Sequence, residues 1–471
     1  MSIAILWFRR NLRLTDNAAL IEALADGKRV LPLYVYDDLP LGGASRWWLH
    51  HSLAALGSEI RKMGGTLLLR RGDPANIIDE LIREVDASAV YCTRRFEPEA
   101  RRQESNVASR LGSRAILNIC DDSLLRRPSD VTTQTGGNYK VFTPYYKAST
   151  ALGEPPAPRA APDTIDFASS PGESDSLDSW SLLPTSPDWA GGLRDTWHPG
   201  EAGAIERLDT IAEAIGGYAA GRDRPDLEAT SRLSPHLHFG EISPRQVWHG
   251  VMSDARQRRL DEAAEPFIRQ LYWRDFSAYL LFHYPPLATE PLRKEYERFP
   301  WREDSAALRR WQKGRTGYPI VDAGMRQLWH TGWMHNRVRM IVASLLVKHL
   351  LIPWQRGAEW FMDTLVDADT ANNSAGWQWV AGSGSDAAPY FRVFNPISQG
   401  QKFDPDGEYV RRWVPELREL PKQYVHEPWT ADSATLRAAG LVLGRDYPEP
   451  VVEHKLGRER ALAAYKAMRE G

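Results

Sequence analysis

Over its first 120 residues the chain alternates strand-length apolar runs with helical stretches, and this alternation limits the fold more than any other feature. Residues 3–8, 29–36, 66–70, 89–92 and 114–119 are apolar runs of strand length. Between them, residues 45–63, 74–84 and 97–111 carry helical spacing. Such alternation predicts a parallel sheet covered by helices on both faces. No G-x-G-x-x-G follows the first strand, so this Rossmann-like domain does not seat a dinucleotide in the usual way.

Residues 150–200 read differently. They hold 8 of the chain's 32 prolines, which keeps a long helix or strand from running through them. After Glu201 the spacing becomes helical almost to the end, with Ser-Pro helix starts at Ser234-Pro235 and Ser243-Pro244. The expected organisation is an α/β domain over residues 1–130, a linker over 131–200 and an all-α domain over 201–471. The apolar run 340–347 is far too short to span a bilayer, and MSIAILWFRRN reads as a buried strand rather than a signal peptide. Two cysteines, Cys92 and Cys120, build neither a disulfide framework nor a four-cysteine cluster, so the expected compartment is the cytoplasm. Net charge is −2, but residues 306–358 hold nine Lys/Arg against one acid, Asp322. That asymmetry fits either a solvated helix face or a footprint for a polyanion.

Four segments of the helical part carry chemistry. Thr230, Ser231, Arg232, Leu233 and Ser234 bring hydroxyls and free amides to a helix start, which suits phosphate as well as plain capping. Gln270, Trp273 and Arg274 share one helix face and offer an amide, a stacking plane and a charge together. In residues 331–340, Asn336 shares a face with Met340 and His335 with Arg339, and His335 alone reads as structural. Asp369, Asn373 and Trp377 recur every four residues as a polar–aromatic stripe, and the nearby Asp367 adds a second carboxylate. With no ligating histidines beside them, these carboxylates suit sugar hydroxyls or an arginine better than a metal, and no metal is expected.

Together these segments resemble the DNA photolyase/cryptochrome family, and most closely the bacterial cyclobutane pyrimidine dimer photolyases. The resemblance runs from Trp7 to Tyr465 and is densest in GYPIVDAGMRQLWHTGWMHNRVRM at 317–340 and in NNSAGWQWVAGSGSDAAPYFRVFNPISQGQKFDPDGEYVRRWVPEL at 372–417. It implies FAD held in the helical domain and a light-driven carbon–carbon lyase, in which reduced, photoexcited FAD lends an electron to a flipped-out pyrimidine dimer in UV-damaged DNA. By matching positions, Tyr218, Thr230–Ser234, Phe267, Gln270, Arg274, Arg339, Asp367, Asp369 and Asn373 would hold FAD, with Arg339 paired to Asp367 and Asn373 facing flavin N5. Trp377, Trp354 and Trp311 match an electron relay from the surface to the flavin. Trp273 and Trp379 match the pair that stacks on the lesion, while Arg222, Asn336, Arg337, Met340 and Gln399 match residues near the damaged strand.

Gln270 departs from the glutamate usual in dimer-repairing members and resembles six-four photolyases at that position, whereas Asn336 and Met340 fit the dimer pattern. A cryptochrome-type photoreceptor is the other alternative, and its usual C-terminal tail is missing after the helical part. Residues 7–13, 45–51 and 95–99 match the place of a second, antenna chromophore, with folate, deazaflavin and flavin all open. The expected working form is a monomer needing neither a protein partner nor a membrane.

Overall fold

In the computed structural model the described residues are 2–37, 39, 41–386 and 391–470. Residues 387–390, inside the 372–417 stretch, lie outside them. The α-carbon framework groups into two compact units: Met1–Ala219 with Ser231–Pro285, and Ala220–Thr230 with Pro286–Gly471.

The first unit contains the sheet. Strands β1 (Ile3–Phe8), β2 (Arg29–Tyr36), β3 (Leu68–Arg71), β4 (Ala87–Thr93) and β5 (Ile116–Cys120) pair in the order β3-β2-β1-β4-β5, all parallel. Helices α1 (Ala18–Ala25), α2 (Gly43–Lys62), α3 (Pro74–Val85) and α4 (Pro98–Leu111) alternate with them, as the pattern predicts. β1 is central, and five of its six residues are buried because both faces of a parallel sheet are covered. Ligands of such sheets favour the carboxyl ends where the strand order reverses, here between β1 and β4. The Arg9 side chain fills that point, paired with Glu104 at 2.5 Å and donating to the Ala100 carbonyl at 3.1 Å.

Helices α5 (Phe142–Ala151), α6 (Gly191–Thr196), α7 (Glu201–Gly221), α8 (Ser234–Phe239), α9 (Pro244–Gln257) and α10 (Asp261–His283) follow. In the proline-rich stretch only the short α6 and a single turn at Leu177–Trp180 form, and Phe167 bridges to Val30 at the sheet. Ser243 caps α9 with a reciprocal bond to Gln246, as its sequence predicts. Ser234 does not cap α8: Leu233 holds the cap position without a side-chain bond and Ser234 is the first helical residue. α8 ends on Gly240 at φ +68°, where a Cβ would stand 2.0 Å from the Arg10 carbonyl oxygen.

The second unit is helical: α11 (Ser305–Gln312), α12 (Pro319–Thr331), α13 (Asn336–Ser344), α14 (Trp354–Thr364), α15 (Thr370–Ala381), α16 (Pro396–Phe403), α17 (Glu408–Trp413), α18 (Ser433–Ala438) and α19 (His454–Glu470). One core joins α11 to α17 and includes Trp311, Trp354 and Trp377. An α/β part with a parallel sheet and a large helical remainder is the fold class the sequence implies.

Candidate functional site

The densest cluster of expected site residues forms where α13, α14 and α15 meet in the second unit. Asp369 caps α15, accepting the Asn372 backbone N–H and side-chain Nδ2, both at 2.8 Å. The cap fixes the phase of the helix, so Asn373 and Trp377 follow on the same side. Asp367, just before the cap, takes Arg339 at 2.8 Å, and Arg339 Nε donates to the Met334 carbonyl. The Asn373 amide donates to the Ala358 carbonyl at 3.0 Å, which fixes its rotamer.

These side chains line a cavity of about 210 Å³, walled by apolar Ala343, Phe361, Leu365 and Val380 and reached by Asn336 and Met340. Two polar atoms on its lining are buried without a hydrogen-bond partner: Asp367 Oδ1 and Trp377 Nε1. Unpaired buried polar atoms are costly, so an acceptor and a donor waiting there suit a bound molecule with both kinds of group. A flavin nucleotide offers both. Asn372 and Gly376 also line the cavity, giving 369, 372, 373 and 376 along one face. The sequence reading missed these two by following only the four-residue recurrence, although a three-residue step lies on the same face.

Trp377 is held by Gly357, where a Cβ would come within 2.0 Å of the indole. Its ring meets Trp311 edge-on at 6.1 Å and Phe361 at 5.0 Å. Trp311 is expected in a relay that begins at the surface, but its exposure is 0% and its indole donates to the Val342 carbonyl. It adjoins Trp377 inside the core and does not reach water. Trp354, at 1%, is equally enclosed, whereas Trp301, packed on the same core, is only partly buried.

His335 turns out to be the cap of α13, its Nδ1 accepting the Arg337 N–H, and burial lowers its pKa to about 4. The structural reading of this histidine fits. Arg337 lies over the Phe403 ring at 4.4 Å and pairs with Asp223 at 3.0 Å. Arg222 is next to Asp223 in the 220–230 segment of the same unit. Gln399 lies on α16, and Trp379, on α15, lines a separate small pocket with Lys348 and Tyr465.

The remaining expected residues, Thr230 excepted, belong to the first unit. Tyr218 meets Phe267 edge-on at 5.3 Å. In the turn before α8, Ser231 Oγ accepts the Leu233 N–H and Arg232 holds a left-handed backbone at φ +53°. Gln270 donates to the Pro266 carbonyl of its own helix, and Trp273 stacks flat on Phe142 with ring centres 3.6 Å apart. Arg274, expected at the cofactor, donates instead to the carbonyls of Ser123 and Leu237 and so ties α10 to α8.

Comparison with known proteins gives consistent matches. The family model described as DNA photolyase covers residues 4–163, and that described as the FAD binding domain of DNA photolyase covers 267–467. The chain is 48% identical to a deoxyribodipyrimidine photo-lyase of Agrobacterium fabrum, covering 99% of this chain and 98% of that protein. It is 35% identical to cryptochrome-1 of Arabidopsis thaliana, covering 95% and 68% respectively. The crystal structure of a bacterial class III photolyase from Agrobacterium tumefaciens superimposes with a TM-score of 0.97 at 48% identity, over 100% of this chain and 98% of that one.

Proposed function

Since the chain belongs to the DNA photolyase/cryptochrome family, we propose that it is a deoxyribodipyrimidine photolyase that repairs cyclobutane pyrimidine dimers in DNA with light. Identity of 48% over the whole chain to a photo-lyase, against 35% to a cryptochrome, favours repair over signalling. The observation that carries the reading is the cavity with Asp367 Oδ1 and Trp377 Nε1 left unpaired, since both fit a flavin.

Arg339, Asp367, Asp369 and Asn373 would hold FAD, and Tyr218, Thr230–Ser234, Phe267 and Gln270 are the further binding residues that the family resemblance implies. When bound and reduced, FAD supplies a light-driven one-electron donation to the dimer and takes the electron back. The chain's own part is binding, orientation and exclusion of water. Asn373, fixed by Ala358, presents an amide able to donate or accept. The Arg339–Asp367 pair takes one carboxylate oxygen and leaves the other, Oδ1, without a partner. The apolar side of the cavity would shield a bound flavin from water and strengthen the polar contacts there. Trp377, with Trp354 and Trp311 in the same core, would pass electrons to oxidised flavin. Trp273, Trp379, Asn336, Met340 and Gln399 would receive the lesion, and Arg222 and Arg337 the phosphates.

An antenna chromophore belongs to the same reading, in the first unit. Trp47 Nε1 and His50 Nδ1 there are buried without partners, which supports a second ligand near residues 45–51. Among the described residues no helix is long and apolar enough to cross a membrane. A monomer acting in the cytoplasm completes the proposal.

The test is light-dependent loss of cyclobutane dimers from UV-irradiated DNA by the purified protein, with its chromophores released and identified by HPLC. Repair in blue light and none in the dark is expected, with FAD and a second chromophore in the extract. Equal activity in light and dark, or preparations that take up no flavin, would overturn the reading.

A further inference from the structure

We propose that Asp223 is a positioning residue for DNA binding, holding Arg337 and its own neighbour Arg222 as one preset pair of phosphate contacts. The inference rests on the reading that these two arginines meet DNA. Arg337 stands in the first turn of α13, and its guanidinium is fixed from two sides. The Phe403 ring lies 4.4 Å from it and the Asp223 carboxylate 3.0 Å away. Its Nη2 takes Asp223 and its Nη1 meets only the weak acceptor Met340 Sδ at 3.9 Å, so of the five N–H donors of the rigid fork those on the two Nη atoms are left for a phosphate.

Asp223 follows Arg222 directly. The ion pair therefore fastens the segment that carries one arginine to the helix that carries the other. Farther along the same segment, Glu228 pairs with Arg412 of α17 at 3.8 Å, so the strip is held at two points. The Asp223 side chain is 42% exposed and that of Arg337 is 21% exposed. An ion pair this open contributes little to stability, so orientation is the better account of it. Holding a flexible cation in its bound conformation lowers the cost of binding.

Binding of a dimer-containing oligonucleotide across a salt series tests this, with Asp223→Asn, Asp223→Glu, Arg337→Ala and the Asp223→Asn/Arg337→Ala double variant. Asp223→Asn should weaken binding about three- to fivefold. It should also reduce the slope of log affinity against log salt by about 1, as for loss of one phosphate contact. Melting temperature should stay unchanged, Asp223→Glu should recover much of the slope, and the double variant should bind like Arg337→Ala alone. Tighter binding with a steeper slope would overturn the proposal, because Asp223 would then compete with phosphate. So would a lowered melting temperature with an unchanged slope, which marks a purely structural pair. If Arg337→Ala weakens binding and Asp223→Asn does not, the inference fails alone. If Arg337→Ala changes nothing, the DNA reading of Arg337 fails and the inference goes with it.

Discussion

Gly357 and Trp377 show how single positions set the site. No side chain fits at 357 while the indole keeps its place, so Gly357→Ala should displace Trp377 and cost roughly 1–3 kcal/mol. Reduced flavin content in the purified variant, with a lower unfolding free energy, is the expected measurement. Histidine burial has a pH signature. An unfolded histidine takes a proton as pH falls below about 6.5, whereas buried His335 waits until about 4 and His349 until about 3. The unfolded chain then binds more protons, so stability is lost as pH falls through this window. Between pH 7 and pH 5 His335 alone should account for roughly 2 kcal/mol. Denaturant titrations of His335→Asn, which keeps a good capping residue, should show that part of the acid loss removed. At this scale the sequence was most informative where residue types repeat on a helix face, as with Asp369, Asn373 and Trp377. It was silent on Asp223 and Phe403, because partners of Arg337 drawn from distant segments leave no local spacing to read.

Helix starts were legible when their chemistry is self-contained. Ser243 and Gln246 cap each other within four residues, and the sequence marks that start correctly. Ser234 misleads by one position, since the left-handed Arg232 before it redirects the chain and puts Leu233 at the cap. Arg274 misleads for a related reason: helix spacing gives its face, while the carbonyls it meets come from other segments. The α15 cap gives an expectation at this scale. Asp369→Ala should cost about 1 kcal/mol of stability and lower flavin content. Asp369→Asn keeps a capping oxygen, so it should retain stability and lose flavin only. If Asp369→Asn bound flavin at the wild-type level, the carboxylate would be a cap and no more.

Across the whole molecule, electron supply and repair should separate. Trp377→Phe should slow photoreduction of oxidised flavin in the presence of an external donor. After chemical reduction with dithionite it should repair dimers at close to the wild-type rate, because the relay feeds the flavin and does not touch the lesion. Trp273→Ala should do the reverse, keeping photoreduction and losing lesion affinity, as stacking is worth roughly 1–3 kcal/mol per base. The α/β class and the helical remainder were readable, since periodicity is local. The grouping of 231–285 with the sheet was not, because it depends on contacts between remote segments such as Arg13 and Gly240.

That discontinuous unit has a consequence for the order of events during synthesis. β1 leaves the ribosome first, but its neighbour β4 ends at Thr93, and the helices that complete the unit end near Pro285. At roughly 5–20 residues per second, the sheet waits on the order of ten seconds or more for those helices. Through that interval the face that later receives them is exposed in a growing chain. Nascent chains stalled near residue 220 should therefore be sensitive to protease and bind chaperones, and those stalled beyond residue 320 should resist digestion over the first unit.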